Sequence, residues 1–238
     1  MSNDLIQQRD VVTLGGVDAA FARGGNRLCF VDPRSPERCI KTLRADRSPA
    51  AKRRAAPLFK RLKPLASFDD NRQEARVFRR IERRIGQEAF ELIPRLHGFV
   101  STDLGEGLCC DLLRDDDGRI ALSLKQYLWQ RGRDRWVESA LARFGERWRT
   151  LGMPSRRLLL HNMVVQCRDG RAERLYVIDG LGWPDMLPLA DLVPALARRK
   201  AGQRLRDLDN AIEQLLARQA RHGDFGIHGW LPDARREC

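Results

Sequence analysis

Between Leu28 and Leu43 two short apolar and β-branched runs, Leu28-Cys29-Phe30-Val31 and Cys39-Ile40-Lys41-Thr42-Leu43, are parted by a stretch rich in Pro, Ser and Glu. That alternation predicts a β-hairpin. Upstream, Ala22-Arg23-Gly24-Gly25-Asn26 supplies a flexible bend, so the chain opens on a curled sheet. From Asn71 to Ile85 the period changes: Ala75, Phe78, Ile81 and Ile85 recur at helical spacing behind Asp69, Asp70 or Asn71 as caps. Leu92 to Val100 and Gly107 to Leu113 read as strands, and Asp115-Asp116-Asp117-Gly118 as the turn where a first lobe ends.

The second half is mainly helical in pattern. Leu122 to Arg131, Arg135 to Leu151, Leu189 to Arg199 and Arg204 to Arg221 carry helical spacing. Leu158 to Gln166 and Arg174 to Asp179 read as a β-hairpin around Arg168-Asp169-Gly170. The expected class is therefore α+β, with a small β-rich lobe over residues 1–114 that carries one long helix, and a mainly helical lobe over 115–238.

Composition narrows the class of protein more than its chemistry. With 238 residues, 42% hydrophobic and 32% charged, the chain can bury a core and is no disordered polymer. Met1 to Asp10 has no signal-peptide pattern, and no segment reaches the roughly 18 apolar residues of a spanning helix, so a cytoplasmic protein without a membrane span is expected. Six scattered cysteines, without a C-x-x-C pair or histidine spacing, read as reduced structural thiols.

The formal charge of +12, mostly arginine, favours anionic partners. Much of it falls between Arg44 and Asp70, where Ala51-Lys52-Arg53-Arg54 and Phe59-Lys60-Arg61-Leu62-Lys63 suit either a solvated loop or a short helix broken at Pro57 and Pro64. Neither a recognition helix nor an aromatic stacking motif accompanies it. The five tryptophans suit core or turn positions, so nucleic acid is the least favoured partner.

Candidate chemistry lies in the order of four features. A glycine bend at Gly24 and Gly25 precedes Lys41 in an apolar strand, Glu74 follows on the first long helix, and Asn162 and Asp179-Gly180 come late. Lys41 after Cys39-Ile40 resembles the Val-Ala-Ile-Lys strand of protein kinases, in which the ammonium meets nucleotide phosphates and a helix glutamate holds it. Read alone, Lys41 is a lysine snorkelling from a strand edge and Glu74 an exposed helix residue; read together they form the pair that such a site needs. The second hairpin would bring Asn162 and Asp179 together as hard oxygen ligands for magnesium, and Asp179-Gly180-Leu181-Gly182 is similar to the kinase Asp-Phe-Gly element.

Longer stretches carry a family resemblance. Gly24 to Pro33, Cys39-Ile40-Lys41, Pro94 to Gly107, Arg114 to Gly118 and Ile178 to Gly182 together resemble the YrbL family of PhoP regulatory network proteins, a bacterial family with a protein-kinase-like fold. The resemblance implies a two-lobed kinase-like architecture and a nucleotide site, with ATP and magnesium (Mg2+) as its occupants.

The chain departs from the kinase pattern in two places. The position five residues before Asn162, where kinases carry the proton-accepting aspartate, is Arg157, and an arginine stays protonated. His161 is the nearest substitute base, although a lone histidine beside a strand is more often structural. Gly24-Gly25 lacks the full glycine-rich spacing. Two functions follow: an ATP- and magnesium-dependent phosphotransferase with an atypical catalytic loop and an unnamed phosphate acceptor, or a pseudokinase acting through a protein partner.

Overall fold

The computed structural model describes residues 11–183 and 193–237. They fall into two compact units, one of Met1–Gln73 with Leu96–Asp111 and the other of Glu74–Arg95 with Leu112–Cys238.

The first unit is built on a five-stranded antiparallel sheet of β1 (Ala22–Arg23), β2 (Arg27–Asp32), β3 (Ser35–Leu43), β4 (Leu96–Thr102) and β5 (Gly105–Asp111), in the order β1-β2-β3-β5-β4. Alternation along β2 turns Leu28, Phe30 and Asp32 inward. Leu28 and Phe30 join Val12, Leu14, Ile40 and Cys109 in one apolar cluster. Asp32 is also buried, and its carboxylate accepts hydrogen bonds from the Arg34 backbone N–H and Nε. Burial alone would raise its pKa; the Arg34 donors and charge outweigh that and hold the carboxyl below its ordinary value.

That clasp shortens the turn. Asp32 pairs with Ser35, so the Pro/Ser/Glu stretch expected as a turn instead begins β3, and a bulge between Val31 and Asp32 absorbs the extra residues. β4 likewise starts at Leu96 rather than at Leu92, which closes the 3-10 turn Gln87–Glu91, and β5 runs from Gly105 to Asp111. Gly107 lies opposite Thr42 in β3, and a Cβ there would come within 2.5 Å of the Ile40 side chain. Cys39, Cys109 and Cys110 are buried free thiols of this sheet, and burial pushes the Cys109 thiol up to about 11, well away from the reactive thiolate.

After β3 the basic stretch folds as short helices rather than as an open loop. α1 (Pro49–Ala55) is capped by the Ser48 hydroxyl, and α2 (Leu58–Arg61) starts behind Pro57. Proline fixes φ and lacks an N–H, so it starts a helical turn readily but interrupts the one before it. α3 (Asp70–Ile85) begins where Asp69 accepts the Arg72 amide.

In the second unit β6 (Leu122–Ser123), β7 (Met163–Arg168) and β8 (Arg171–Val177) form a three-stranded antiparallel sheet. α4 (Leu124–Arg131) and α5 (Arg135–Leu151) follow β6, and Asp134 caps α5 by accepting the Trp136 and Val137 amides. α5 packs on β8 and on α6 (Pro194–Ala220), burying Val137, Ala140, Phe144 and Trp148.

Two expectations for this half change. The strand read from Leu158 starts at Met163, because Leu158 and Leu160 are buried in a loop and 3-10 turn in which the Asn162 amide bonds the Leu159 carbonyl. The two last helices are one continuous α6 across Gly202, while residues 189–192 lie outside those described. Continuity follows from packing: Ala197 and Ala201 are buried on one face, and Ala197 lies so close to Gly152 that a Cβ on the glycine would sit 2.9 Å away. Trp148 is wholly buried, as a core tryptophan should be, whereas Trp230 is half exposed and meets Phe225 edge-on. Among the described residues no helix is long and apolar enough to cross a membrane.

The C-terminal residues are tied into this unit by a buried ion pair. Arg236 Nη2 donates to Asp115 Oδ2 at 2.6 Å and its Nε to the Ile120 carbonyl, while Asp115 Oδ1 accepts the Cys167 amide. Burial pushes the Asp115 carboxyl up, and the Cys167 amide and Arg236 oppose it. Arg236→Met should therefore strand a buried carboxylate and cost on the order of 3 kcal/mol in urea unfolding. Gly107→Ala should cost about 1–3 kcal/mol by overpacking against Ile40, read as a lower thermal midpoint.

Candidate functional site

Gly24 and Gly25 form the tip of the β1–β2 bend. The Gly24 amide bonds the Arg27 carbonyl at 2.8 Å, and both glycine carbonyls accept from the Arg44 guanidinium. The bend is thus held to the end of β3 through its oxygens, and Arg44 in turn pairs with Asp46 at 2.8 Å.

Lys41 stands three residues earlier on β3, between Cys29 of β2 and Leu108 of β5. It is buried, with 6% of its surface exposed. Asn71, in the first turn of α3, donates from Nδ2 to the Lys41 carbonyl at 2.8 Å and is itself buried. A side chain from the helix therefore fixes the lysine's backbone. Glu74 lies one turn further along α3, half-buried, on the helix whose apolar face is Ala75, Phe78 and Ile81. Lys41 and Glu74 belong to different compact units.

Asn162, Asp179 and His161 do come together, all within the second unit. The β7–β8 ladder pairs Met163 with Val177, which leaves Asn162 and Asp179 just beyond its open end. One more backbone bond, from the Ile178 amide to the Asn162 carbonyl at 2.9 Å, extends that register. Asp179 Oδ1 accepts the following Gly180 amide at 2.6 Å, which sets the direction of the carboxylate.

A second backbone strand runs beside this corner. The Arg156 amide bonds the Gly180 carbonyl at 3.0 Å, the Gly182 amide bonds the Pro154 carbonyl at 3.3 Å, and Ser155 bridges Leu181. Gly180 has φ +81°, and a Cβ there would lie 3.1 Å from the Arg157 carbonyl oxygen and 3.3 Å from Asn162 Nδ2. Only glycine suits both the positive φ and the close approach. Segment 154–157, Asn162 and Asp179-Gly180 thus form one packed corner.

The corner offers one amide oxygen and one carboxylate. No cluster of three or more histidine, cysteine or acidic residues suited to a metal occurs among the described residues. Such a sparse oxygen set does not make a protein-only cage, but it fits magnesium that takes its remaining ligands from phosphates and water. Arg156 and Arg157 are exposed at the rim, and a guanidinium is a donor that offers no lone pair to accept a proton.

His161 has neighbours that local sequence does not announce. Its ring lies 5.5 Å from that of His228, and a Cβ on Gly229 would collide with its own Cβ at 2.7 Å. Segment 228–231 is held there by α4 and β6: Lys125 donates to the His228 carbonyl, Ser123 to the Gly229 carbonyl, and Gln126 makes two bonds with Leu231. Burial, then His228 and Lys125, push the His161 pKa down, and Asp179 opposes them. The tail lies more than a hundred residues from α4 in sequence, so no local pattern could reveal it.

Comparison with known proteins agrees with the sequence resemblance. The family described as PhoP regulatory network protein YrbL matches residues 16–213. The uncharacterized protein YrbL of Escherichia coli strain K12 is 28% identical over 109 residues, 45% of this chain and 42% of that protein. The Shigella flexneri protein of the same description gives the same figures, so the match spans less than half the length of either curated relative. No solved structure matches the chain. With the family match covering most of its length, including β2, β3 and the Asn162–Asp179 corner, the chain belongs to the YrbL family of PhoP regulatory network proteins.

Proposed function

We propose that this protein is a kinase-like nucleotide-binding protein that takes ATP with magnesium. The observation that carries the reading is the packed corner in which Asn162 and Asp179 meet beside segment 154–157. In this reading Asn162 and Asp179 would hold the metal, and Lys41, Glu74, Gly24 and Gly25 keep the nucleotide-binding roles that the family resemblance implies. Magnesium, when bound, would neutralise phosphate charge.

What the chain's own groups can do follows from their surroundings. A lysine as buried as Lys41 is costly unless anionic or hydrogen-bonding groups surround its ammonium. Phosphoryl transfer rests mainly on positioning and charge stabilisation, so an arginine where kinases carry the acceptor's base does not by itself forbid the reaction. The phosphotransferase reading needs an acceptor whose hydroxyl loses its proton late or to another group. Burial pushes the His161 pKa down and so favours its neutral form, but His228 and the 228–231 segment pack over it.

The pseudokinase reading draws on those same facts: Arg157 in the base position and a covered His161. Both readings share nucleotide binding and differ in whether phosphate leaves. Purified protein titrated with ATP and magnesium should rise in thermal midpoint, with about 2.7 kcal/mol of added stability at a hundredfold excess over Kd. Asp179→Ala should abolish the magnesium-dependent part and Lys41→Ala most of the rest; unchanged affinity in both variants would end the nucleotide reading.

The depressed His161 pKa also predicts a pH effect with a definite sign. Unfolding frees His161 to protonate near pH 6.5, so stability should be full above about pH 6.5 and fall as pH drops toward the lower folded-state value. His161→Gln should flatten that part of a urea-unfolding series between pH 5 and 7.

A further inference from the structure

The helical turns after β3 leave an apolar surface that the nucleotide reading does not use. Leu58 is 77% exposed, Phe59 70% and Leu62 90%, although side chains of this kind are usually covered in a folded domain. Positions 58, 59 and 62 are spaced as i, i+1 and i+4, so the turns of α2 present them together, with Leu65 following at i+7 and 43% exposed.

Cations surround this surface. Lys60, Arg61 and Lys63 alternate with the apolar residues, and Arg53 and Arg54 stand exposed at the end of α1. From Arg47 to Phe68 the chain has no acidic residue. The nearest carboxylates are already engaged: Asp70 binds Lys52, Asp69 caps α3 and lies near Arg72, and Asp46 pairs with Arg44. Lys60 lies 5.8 Å from the Phe59 ring centroid, and Arg61 reaches the Ala56 carbonyl.

Exposed leucine and phenylalanine interleaved with lysine and arginine, in a stretch that itself holds no acid, match an anionic lipid interface. Apolar side chains enter the acyl boundary while the long cations extend their charges to the phosphate layer. We infer that the α1–α2 segment, through Leu58, Phe59 and Leu62 with Lys60, Arg61 and Lys63, docks the protein peripherally on anionic phospholipid. A cation surface alone would serve any polyanion, and an apolar one alone any greasy partner; the interleaving selects a surface that is charged outside and apolar beneath. The inference stands independently of whether the protein binds nucleotide.

Sedimentation of the full chain with vesicles tests it. Binding should be strong to equal parts phosphatidylcholine and phosphatidylglycerol and negligible to phosphatidylcholine alone. The triple variant Lys60→Glu, Arg61→Glu, Lys63→Glu should weaken binding on the order of a hundredfold, since each cation near such a surface contributes about fivefold. The triple variant Leu58→Ser, Phe59→Ser, Leu62→Ser should weaken it about tenfold or more, because each apolar group inserted is lost. All six positions are on exposed turns, and unchanged circular dichroism would verify folding. Absence of binding to the mixed vesicles, equal binding to the neutral ones, or full retention by the apolar triple variant would each overturn the inference. Salt-sensitive binding to duplex DNA as tight as to vesicles, kept by the apolar variant, would assign the surface to nucleic acid and overturn it too.

Discussion

Gly180 is the position on which the proposed site depends. Its positive φ lets the backbone turn directly after Asp179, and its missing side chain lets the Arg157 carbonyl and the Asn162 amide close on it. A β-carbon would be strained at this φ and would crowd the junction of the two backbone runs that the Arg156-to-Gly180 and Gly182-to-Pro154 hydrogen bonds join. The β7–β8 ladder then sets where Asn162 stands, because Ile178 continues its register onto the Asn162 carbonyl. One glycine and one hairpin thus set an amide and a carboxylate beside each other without a dedicated metal cluster.

The first unit solves a different problem, that of keeping a lysine within an apolar sheet. β2 and β5 flank Lys41, and Asn71 of α3 secures its carbonyl, so the lysine's backbone has little freedom. Close packing of Gly107 against Ile40 brings β5 against the same strand.

Local pattern made much of this legible. α5 could be read from Arg135 to Leu151 because its apolar positions keep strict helical spacing, and α3 because Ala75, Phe78 and Ile81 do the same. The juxtaposition of Asn162 and Asp179 was legible too, since a hairpin around Asp169-Gly170 leaves few alternatives for its open ends. Features set by distant partners were not. The Arg236–Asp115 pair joins residues 121 apart, and the cover over His161 comes from a tail whose own sequence shows no period. Leu158 to Leu160 looked like a strand because burial in a loop leaves the same apolar signature. The gap left between the helical patterns ending at Arg199 and starting at Arg204 is bridged, because packing of Ala197 and Ala201 keeps the helix continuous.

The central claim is that Asn162 and Asp179 hold a nucleotide-bound divalent ion. Electron paramagnetic resonance of manganese(II) with ATP tests it most directly, because the manganese spectrum responds to ligands from the protein. The account predicts a protein-dependent change of the manganese–ATP spectrum that Asn162→Ala diminishes and Asp179→Ala removes. A spectrum identical with and without protein, or one that both substitutions leave unchanged, would contradict it.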